Sequence, residues 1–171
     1  AENIIANYIN EHYLDCVYED KSNVPHSGDG WLITPNNTIM IESKNYQTNI
    51  SINELNKMER DMLENKITYG IFLSLQSDLI GFKPIDFHTF KNKNGDEYFI
   101  FIVGRLVNNI SLIDIAIKFI NSLNQKTLIN FDIVESFNNI KDDINDLNKI
   151  IKLNDNYVEK VSETKNSINK M

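Results

Sequence analysis

The sequence predicts an α/β fold: a mixed β-sheet flanked by helices over residues 1–130, followed by a long C-terminal helix over residues 131–171. Three observations predict it. Apolar residues recur at spacings of three and four in separated segments, the period of an amphipathic helix. Between those segments lie short apolar runs bounded by Asn, Pro and Gly, the mark of strands. From Phe137 onward a heptad pattern continues without Gly or Pro. The order helix, hairpin, helix, strand, hairpin, helix is met most simply by one mixed sheet with helices packed against it.

Residues 2–14 form the first helix, with Ile4, Ile5, Tyr8, Ile9, His12 and Tyr13 on one face and His12 packed there. Leu32-Ile33-Thr34, the turn Pro35-Asn36-Asn37 and Thr38-Ile39-Met40-Ile41-Glu42 read as a β-hairpin. Ser51, with Glu54 three residues on, has the form of a capping box. The helix it opens runs to about Lys66 and buries Leu55, Met58, Met62 and Leu63. The apolar run Thr68 to Leu75 suits a central strand covered on both faces. Phe87 to Phe90 and Tyr98 to Val103 make a second hairpin around Asn94-Gly95. Ser111 caps a helix carrying Leu112, Ile115, Ile117, Phe119 and Ile120, which ends near Leu123.

In the tail, taking Phe137 as an a position, the a/d series runs Ile140, Ile144, Leu147, Ile151, Asn154, Val158, Val161, Lys165 and Ile168, and Ile133 extends it backwards. Ile at a with Leu at d favours two parallel strands, a rule that Ile144, Leu147 and Ile151 follow. Asn154 and Lys165 are polar seam positions that set register at some loss of stability. The expectation is a homodimer through this helix; the alternative is a helix folded back on its own domain.

Composition sets further bounds. The chain has 171 residues, 42% hydrophobic, which is too apolar for wholesale disorder. No apolar run approaches the roughly 20 residues that span a bilayer, so no membrane partner is expected. Ala1-Glu2-Asn3 lacks the form of a signal peptide, and a first residue other than Met suggests a mature form or a piece of a longer chain with further domains. A single cysteine, Cys16, forbids an internal disulfide and a Cys-rich zinc site. Together these favour an intracellular location, cytoplasmic or at a nuclear or viral replication site. The net charge is −7, and the acid is concentrated: residues 1–66 hold five Lys/Arg against eleven Asp/Glu. A strongly basic nucleic-acid footprint is missing, which counts against a simple DNA-coating role.

The chemistry-bearing stretch is His26-Ser27-Gly28-Asp29-Gly30-Trp31, followed by Ile41-Glu42-Ser43-Lys44-Asn45-Tyr46. Glu42 and Lys44 are two apart on a strand and share a face with Met40. Asp29 enters at a Gly-flanked bend before the neighbouring strand. Two carboxylates on adjacent strands repel unless a cation lies between them, and hard oxygen ligands suit Mg²⁺ or Mn²⁺. A lysine beside such an ion can orient a water or stabilise charge developing on a phosphate. As turn residues or solvated charges the same side chains would carry no chemistry, a reading most natural for His26, which is expected to be a loop histidine without a titrating role. Trp31 is expected to pack in the core beside the site. Gly-rich phosphate loops, nucleophile elbows and His-Glu-x-x-His helices are absent, and Cys16 has no motif around it.

The Asp29 bend followed thirteen residues later by Glu42-Ser43-Lys44 resembles the PD-(D/E)XK nuclease superfamily, and the run Glu-Ser-Lys-Asn-Tyr is similar to its Mrr-type restriction endonuclease branch. The resemblance covers roughly residues 2–125. It implies a restriction-endonuclease-like fold and a metal-dependent deoxyribonuclease, an endonuclease by the branch it resembles, that hydrolyses DNA phosphodiester bonds. It further implies Asp29, Glu42 and the Ser43 backbone carbonyl as ligands of Mg²⁺ or Mn²⁺, and Lys44 as the residue that positions the attacking water. Family members often add a glutamate on the first helix, for which Glu11 is the candidate ahead of Glu2. Lys57, Gln76 and Gln47 are candidates for a further Lys or Gln. Lys57, Arg60, Lys91, Lys93 and Arg105 are the available DNA contacts. The alternative function is a catalytically inactive module of the same fold, assembling through its coiled coil or binding nucleic acid.

Overall fold

The computed structural model describes residues 2–125 and 132–168. The chain divides into two units, Ala1–Asn130 and Phe131–Met171. The first holds helices α1 (Glu2–His12), α2 (Ile52–Asn65) and α3 (Leu112–Gln125) and strands β1 (Val17–Asp20), β2 (Gly30–Ile33), β3 (Thr38–Lys44), β4 (Tyr69–Ser74), β5 (Ile85–Lys91) and β6 (Glu97–Val103). The second holds one helix, α4 (Asp132–Ile168).

The strands form one mixed sheet in the order β1-β2-β3-β4-β6-β5. β3, β4 and β6 run parallel to one another, while β1, β2 and β5 join antiparallel at the two sides. The burial pattern follows from this arrangement. β3 and β4 lie centrally and are buried at nearly every position, as strands covered on both faces must be. β1 is a short, half-exposed edge carrying Glu19 and Asp20, charges that discourage pairing with another chain.

Alternation along the strands sorts the core into two layers. Met40, Phe72, Ile100 and Ile102 face α2 and cluster with its Leu55, Met58 and Met62. On the opposite face Phe101 meets Phe119 of α3 at a ring separation of 5.2 Å. Ile5 and Ile9 of α1 are buried, and the Tyr8 and Tyr13 hydroxyls donate to the Asp114 carboxylate, tying α1 to α3.

Several expectations are corrected here. β1 carries only two apolar residues, Val17 and Tyr18, and escaped the periodicity argument. His12 is exposed rather than packed: it stacks on Tyr8 with centroids 4.2 Å apart, one turn away on the open face of α1. Leu63 is 37% exposed because the buried stripe of α2 runs through Leu55, Met58, Asp61 and Met62 and leaves it to one side. Ser51 does cap α2, but it accepts from Asn53 N–H, and Glu54 does not close a capping box. The Ser111 hydroxyl donates to Asn109 Oδ1 instead of capping α3.

α4 is continuous over 37 residues, about 55 Å at 1.5 Å per residue. It exposes Ile150, Leu153, Tyr157, Val158 and Val161. The side chains of the predicted seam residues Ile133, Phe137, Ile140 and Ile168 lie outside the described residues.

Candidate active site

The site is built at the C-terminal end of β3. Gly28, at φ 66°, bends the chain into β2; a Cβ there would lie 2.9 Å from the Ile41 carbonyl oxygen. Gly30 makes room for Tyr18, whose hydroxyl a Cβ would strike. Between them Asp29 is fixed by its own backbone, its N–H donating to Ile41 O (3.0 Å) and its carbonyl accepting from Lys21 N–H (2.9 Å). Its carboxylate is thereby carried across to β3, where Oδ2 accepts from both the backbone N–H (2.7 Å) and the hydroxyl (2.8 Å) of Ser43. The N–H and C=O of one strand residue point to the same edge, so the Ser43 carbonyl faces the Asp29 side of β3.

Glu42 and Lys44 point to the other side of the pleat from Ser43, toward the N-terminal end of α2. The Lys44 ammonium lies 2.5 Å from Glu42 Oε1 and 3.3 Å from Glu54 Oε2, with the Glu42 side chain 6% and the Lys44 side chain 14% exposed. Glu54 reaches this point because a bridge between Ile50 and Leu79 ties the segment before α2 to the loop after β4. Burial, and after it the charge of Asp29, push the Glu42 carboxyl above its usual range, against the opposing pull of Lys44 and Lys57. For Lys44 burial acts to lower the pKa, but the hydrogen bond to Glu42 and the charges of Glu42, Asp29 and Glu54 outweigh it and leave it raised. Lys44 therefore stays an ammonium at neutral pH. Glu42 and Glu54 flank the Lys44 ammonium, the charges of Asp29 and Lys57 reach Glu42, and the carboxylate oxygens are the hard donors that a divalent cation prefers.

The structure thus brings Asp29, Glu42, Ser43 and Lys44 together, with Lys57 close enough to act on Glu42. Glu11 stands apart: it is exposed near the end of α1 and is not among the groups that shift Glu42. The Glu2 side chain lies outside the described residues. Gln76 donates to Asn45 Oδ1 (2.6 Å) on the surface, and Gln47 and Tyr46 are exposed. Trp31 is half-buried against the α2 layer, its indole N–H donating to Ser27 O (2.8 Å) and its ring carrying the Lys21 ammonium at 4.4 Å. Arg105 is engaged by Asp78 (2.7 Å).

Glu54 was missed as a site residue because Ser-x-x-Glu is also the signature of a cap. Asp61 was missed although its place on the apolar stripe of α2 was a signal. His26 Nδ1 lies 3.3 Å from Asp61 Oδ1 and 3.6 Å from Glu64 Oε2, a spacing that could hold a metal. The same Asp61 oxygen accepts from Arg60 Nη2 (2.6 Å) and Nε (3.0 Å), so a guanidinium already neutralises this buried carboxylate. Asn65 Nδ2 holds the His26 carbonyl (2.5 Å), which makes the cluster an anchor for the loop leading to Asp29.

Comparison with protein-family models, curated proteins and solved structures finds no match to the chain. Among the described residues no helix is long and apolar enough to cross a membrane.

Proposed function

We propose that the chain is a metal-dependent nuclease of restriction-endonuclease-like fold that hydrolyses phosphodiester bonds in DNA. The observation that carries this reading is the meeting of Asp29, Glu42 and Lys44 at the end of β3, two carboxylates and a buried ammonium held by residues from both sides of the pleat. The mixed sheet, with this strand at its centre and helices on both faces, supports it.

Asp29, Glu42 and the Ser43 carbonyl would hold Mg²⁺ or Mn²⁺, which would supply Lewis acidity toward the phosphate and an acidified water. The residues of the chain divide the remaining work. Asp29, locked by two hydrogen bonds from Ser43, keeps its second oxygen directed away from that clamp. Lys44, being charged, cannot take a proton from water; it orients the attacking oxygen or stabilises charge on the phosphate as the P–O3′ bond breaks.

The test is incubation with supercoiled plasmid at low salt in Mg²⁺, Mn²⁺ or EDTA, beside an Asp29→Asn/Glu42→Gln double variant. Metal-dependent nicking lost in the variant is expected. Absence of both cleavage and calorimetric Mn²⁺ binding in the native protein would sink the reading. A second reading, a silent module of the same fold assembling through α4, draws on the exposed Val158 and Val161 of that helix and would then stand. Either reading takes α4 as the homodimer element.

A further inference from the structure

We infer that the pocket between the C-terminal end of α2 and the β5–β6 turn binds a phosphate group of a nucleic-acid strand. The pocket measures about 650 Å³, and its lining includes Lys66, Lys91, Lys93 and Tyr98 together with Asn94 and Asp96. That volume suits a nucleotide rather than a bare ion.

Charge is the first argument. In a chain of net −7, three lysines converge on one concavity. Lys91 is held by Glu97 (3.0 Å), and the Asp96 carboxylate accepts from Asn92 Nδ2 (2.7 Å). The ammonium groups of Lys66 and Lys93 have no ion-pair partner among the described residues. Leu63 O and Met62 O, two of the last carbonyls of α2, are taken by the N–H groups of Lys66 and Ile67, and the lysines outweigh the negative end of the helix dipole.

Tyr98 is an independent observation. Its ring is in the core layer beneath α2, stacked on Phe90 at 5.2 Å, and the residue is 7% exposed. Its hydroxyl has no hydrogen-bond partner among the described residues. The Asp78 Oδ1 atom is the sealed side-chain atom without a partner among the described residues, so the Tyr98 hydroxyl is open to solvent, and the surface Tyr98 lines is this pocket. Two ammonium groups without an ion pair and the Tyr98 hydroxyl form a donor set larger than the one carboxylate in the lining, Asp96, and a phosphate supplies further acceptors.

The position favours a strand over a free anion. α2 carries Glu54, which touches Lys44, at one end and Lys66 just past the other. The twelve residue steps from Glu54 to Lys66 span about 18 Å, roughly five nucleotide steps. One strand can therefore occupy the pocket and reach the end of β3, gaining at the pocket the cationic contacts that the acidic site lacks. This inference shares the nucleic-acid partner with the function proposed above but does not depend on cleavage.

The experiment is fluorescence anisotropy of the full chain with a 5′-labelled single-stranded 12-mer in EDTA, where no metal-dependent cleavage occurs. Lys66→Ala/Lys93→Ala is expected to weaken binding about tenfold and to flatten the slope of log K against log[salt] by about 1.4. Tyr98→Phe, which removes a hydroxyl without a partner, is expected to weaken binding several-fold with the slope unchanged. Asp29→Asn/Glu42→Gln, which removes two negative charges beside the strand, is expected to bind more tightly than the native chain in EDTA. Equal affinity and slope in the lysine double variant would overturn the inference while leaving a cleavage result untouched. Loss of inorganic pyrophosphate binding in that variant, with oligonucleotide affinity unchanged, would overturn the strand assignment.

Discussion

Ser43 gives both its N–H and its hydroxyl to one oxygen of Asp29, at 2.7 and 2.8 Å, so the residue between Glu42 and Lys44 is the clamp for the carboxylate facing them. The x of a Glu-x-Lys triplet is chemically open on paper; here its side chain fixes the partner strand's acid. Ser43→Ala removes one of the two bonds and leaves the other. A loss of about 1 kcal/mol in urea denaturation is expected, together with a drop in cleavage smaller than that of Asp29→Asn. A Ser43→Ala protein as inactive as Asp29→Asn would show that the hydroxyl does more than hold the acid.

Glu42 should make the metal-free protein pH-sensitive. Its carboxyl is raised by burial and by Asp29, so its contribution to stability is full below the ordinary glutamate value of 4.5 and is lost as pH rises through its raised value. The difference in unfolding free energy between the native chain and Glu42→Gln, both in EDTA, should therefore move against the native chain as pH rises through that window. A bound cation reverses the sign, because it favours the ionised form. Mn²⁺ affinity measured calorimetrically should fall as the solution is acidified into the same window, with proton release on binding.

Lys44→Met separates charge from packing. It leaves the Glu42 carboxylate buried without its ammonium, an arrangement that destabilises by about 3 kcal/mol when one partner of a buried pair is removed. On the proposed function, cleavage should fall by about 10² to 10³ beyond what unfolding explains. Lys44→Arg, which keeps the charge, should restore stability more than activity. Melting curves and plasmid nicking on the same preparations decide it.

Cys16 should be unreactive. Burial, followed by the Asp15 carboxylate, pushes its thiol up to about 11. Against an ordinary value of 9.0, the thiolate at pH 8 is about 100-fold scarcer, and alkylation by iodoacetamide should be slower to match. Alkylation at the rate of a free thiol would show a more open loop before β1.

The elements legible in the sequence were those with a strong local period: α2, β3, β4 and the β5–β6 hairpin each carry their apolar pattern within the segment. Asp29, Glu42 and Lys44 could be grouped because strand alternation fixes which of them share a face and a Gly-flanked bend can only point a few ways. Glu54 could not be. Three residues after a serine, a glutamate has a local partner available, and only the Ile50–Leu79 bridge, between segments 29 residues apart, turns it toward Lys44 instead. The same holds for Asp61, whose partner His26 lies 35 residues earlier. β1 was illegible for the opposite reason: as an edge it owes its place to pairing with β2, and its own four residues carry little pattern.

The helix α4 should set the oligomeric state. A helix of 37 residues with Val158 and Val161 70% and 66% exposed leaves apolar side chains in water along its predicted seam. A second copy of the same helix, packed in parallel with a and d positions interlocked, would remove them, at roughly 25 cal/mol per Å² of apolar surface buried. Ile151 at a and the polar Asn154 at d would set the register. Sedimentation of the full chain should therefore give a dimer whose dissociation constant rises by more than tenfold in Val158→Asp/Val161→Asp, because each aspartate puts a charge into the seam opposite its own copy. The sheet domain should be unaffected, so near-ultraviolet circular dichroism from Trp31 should not change. A native chain that sediments as a monomer at tens of micromolar would remove the dimer from the proposal and with it any paired-site cleavage, leaving a single nicking site.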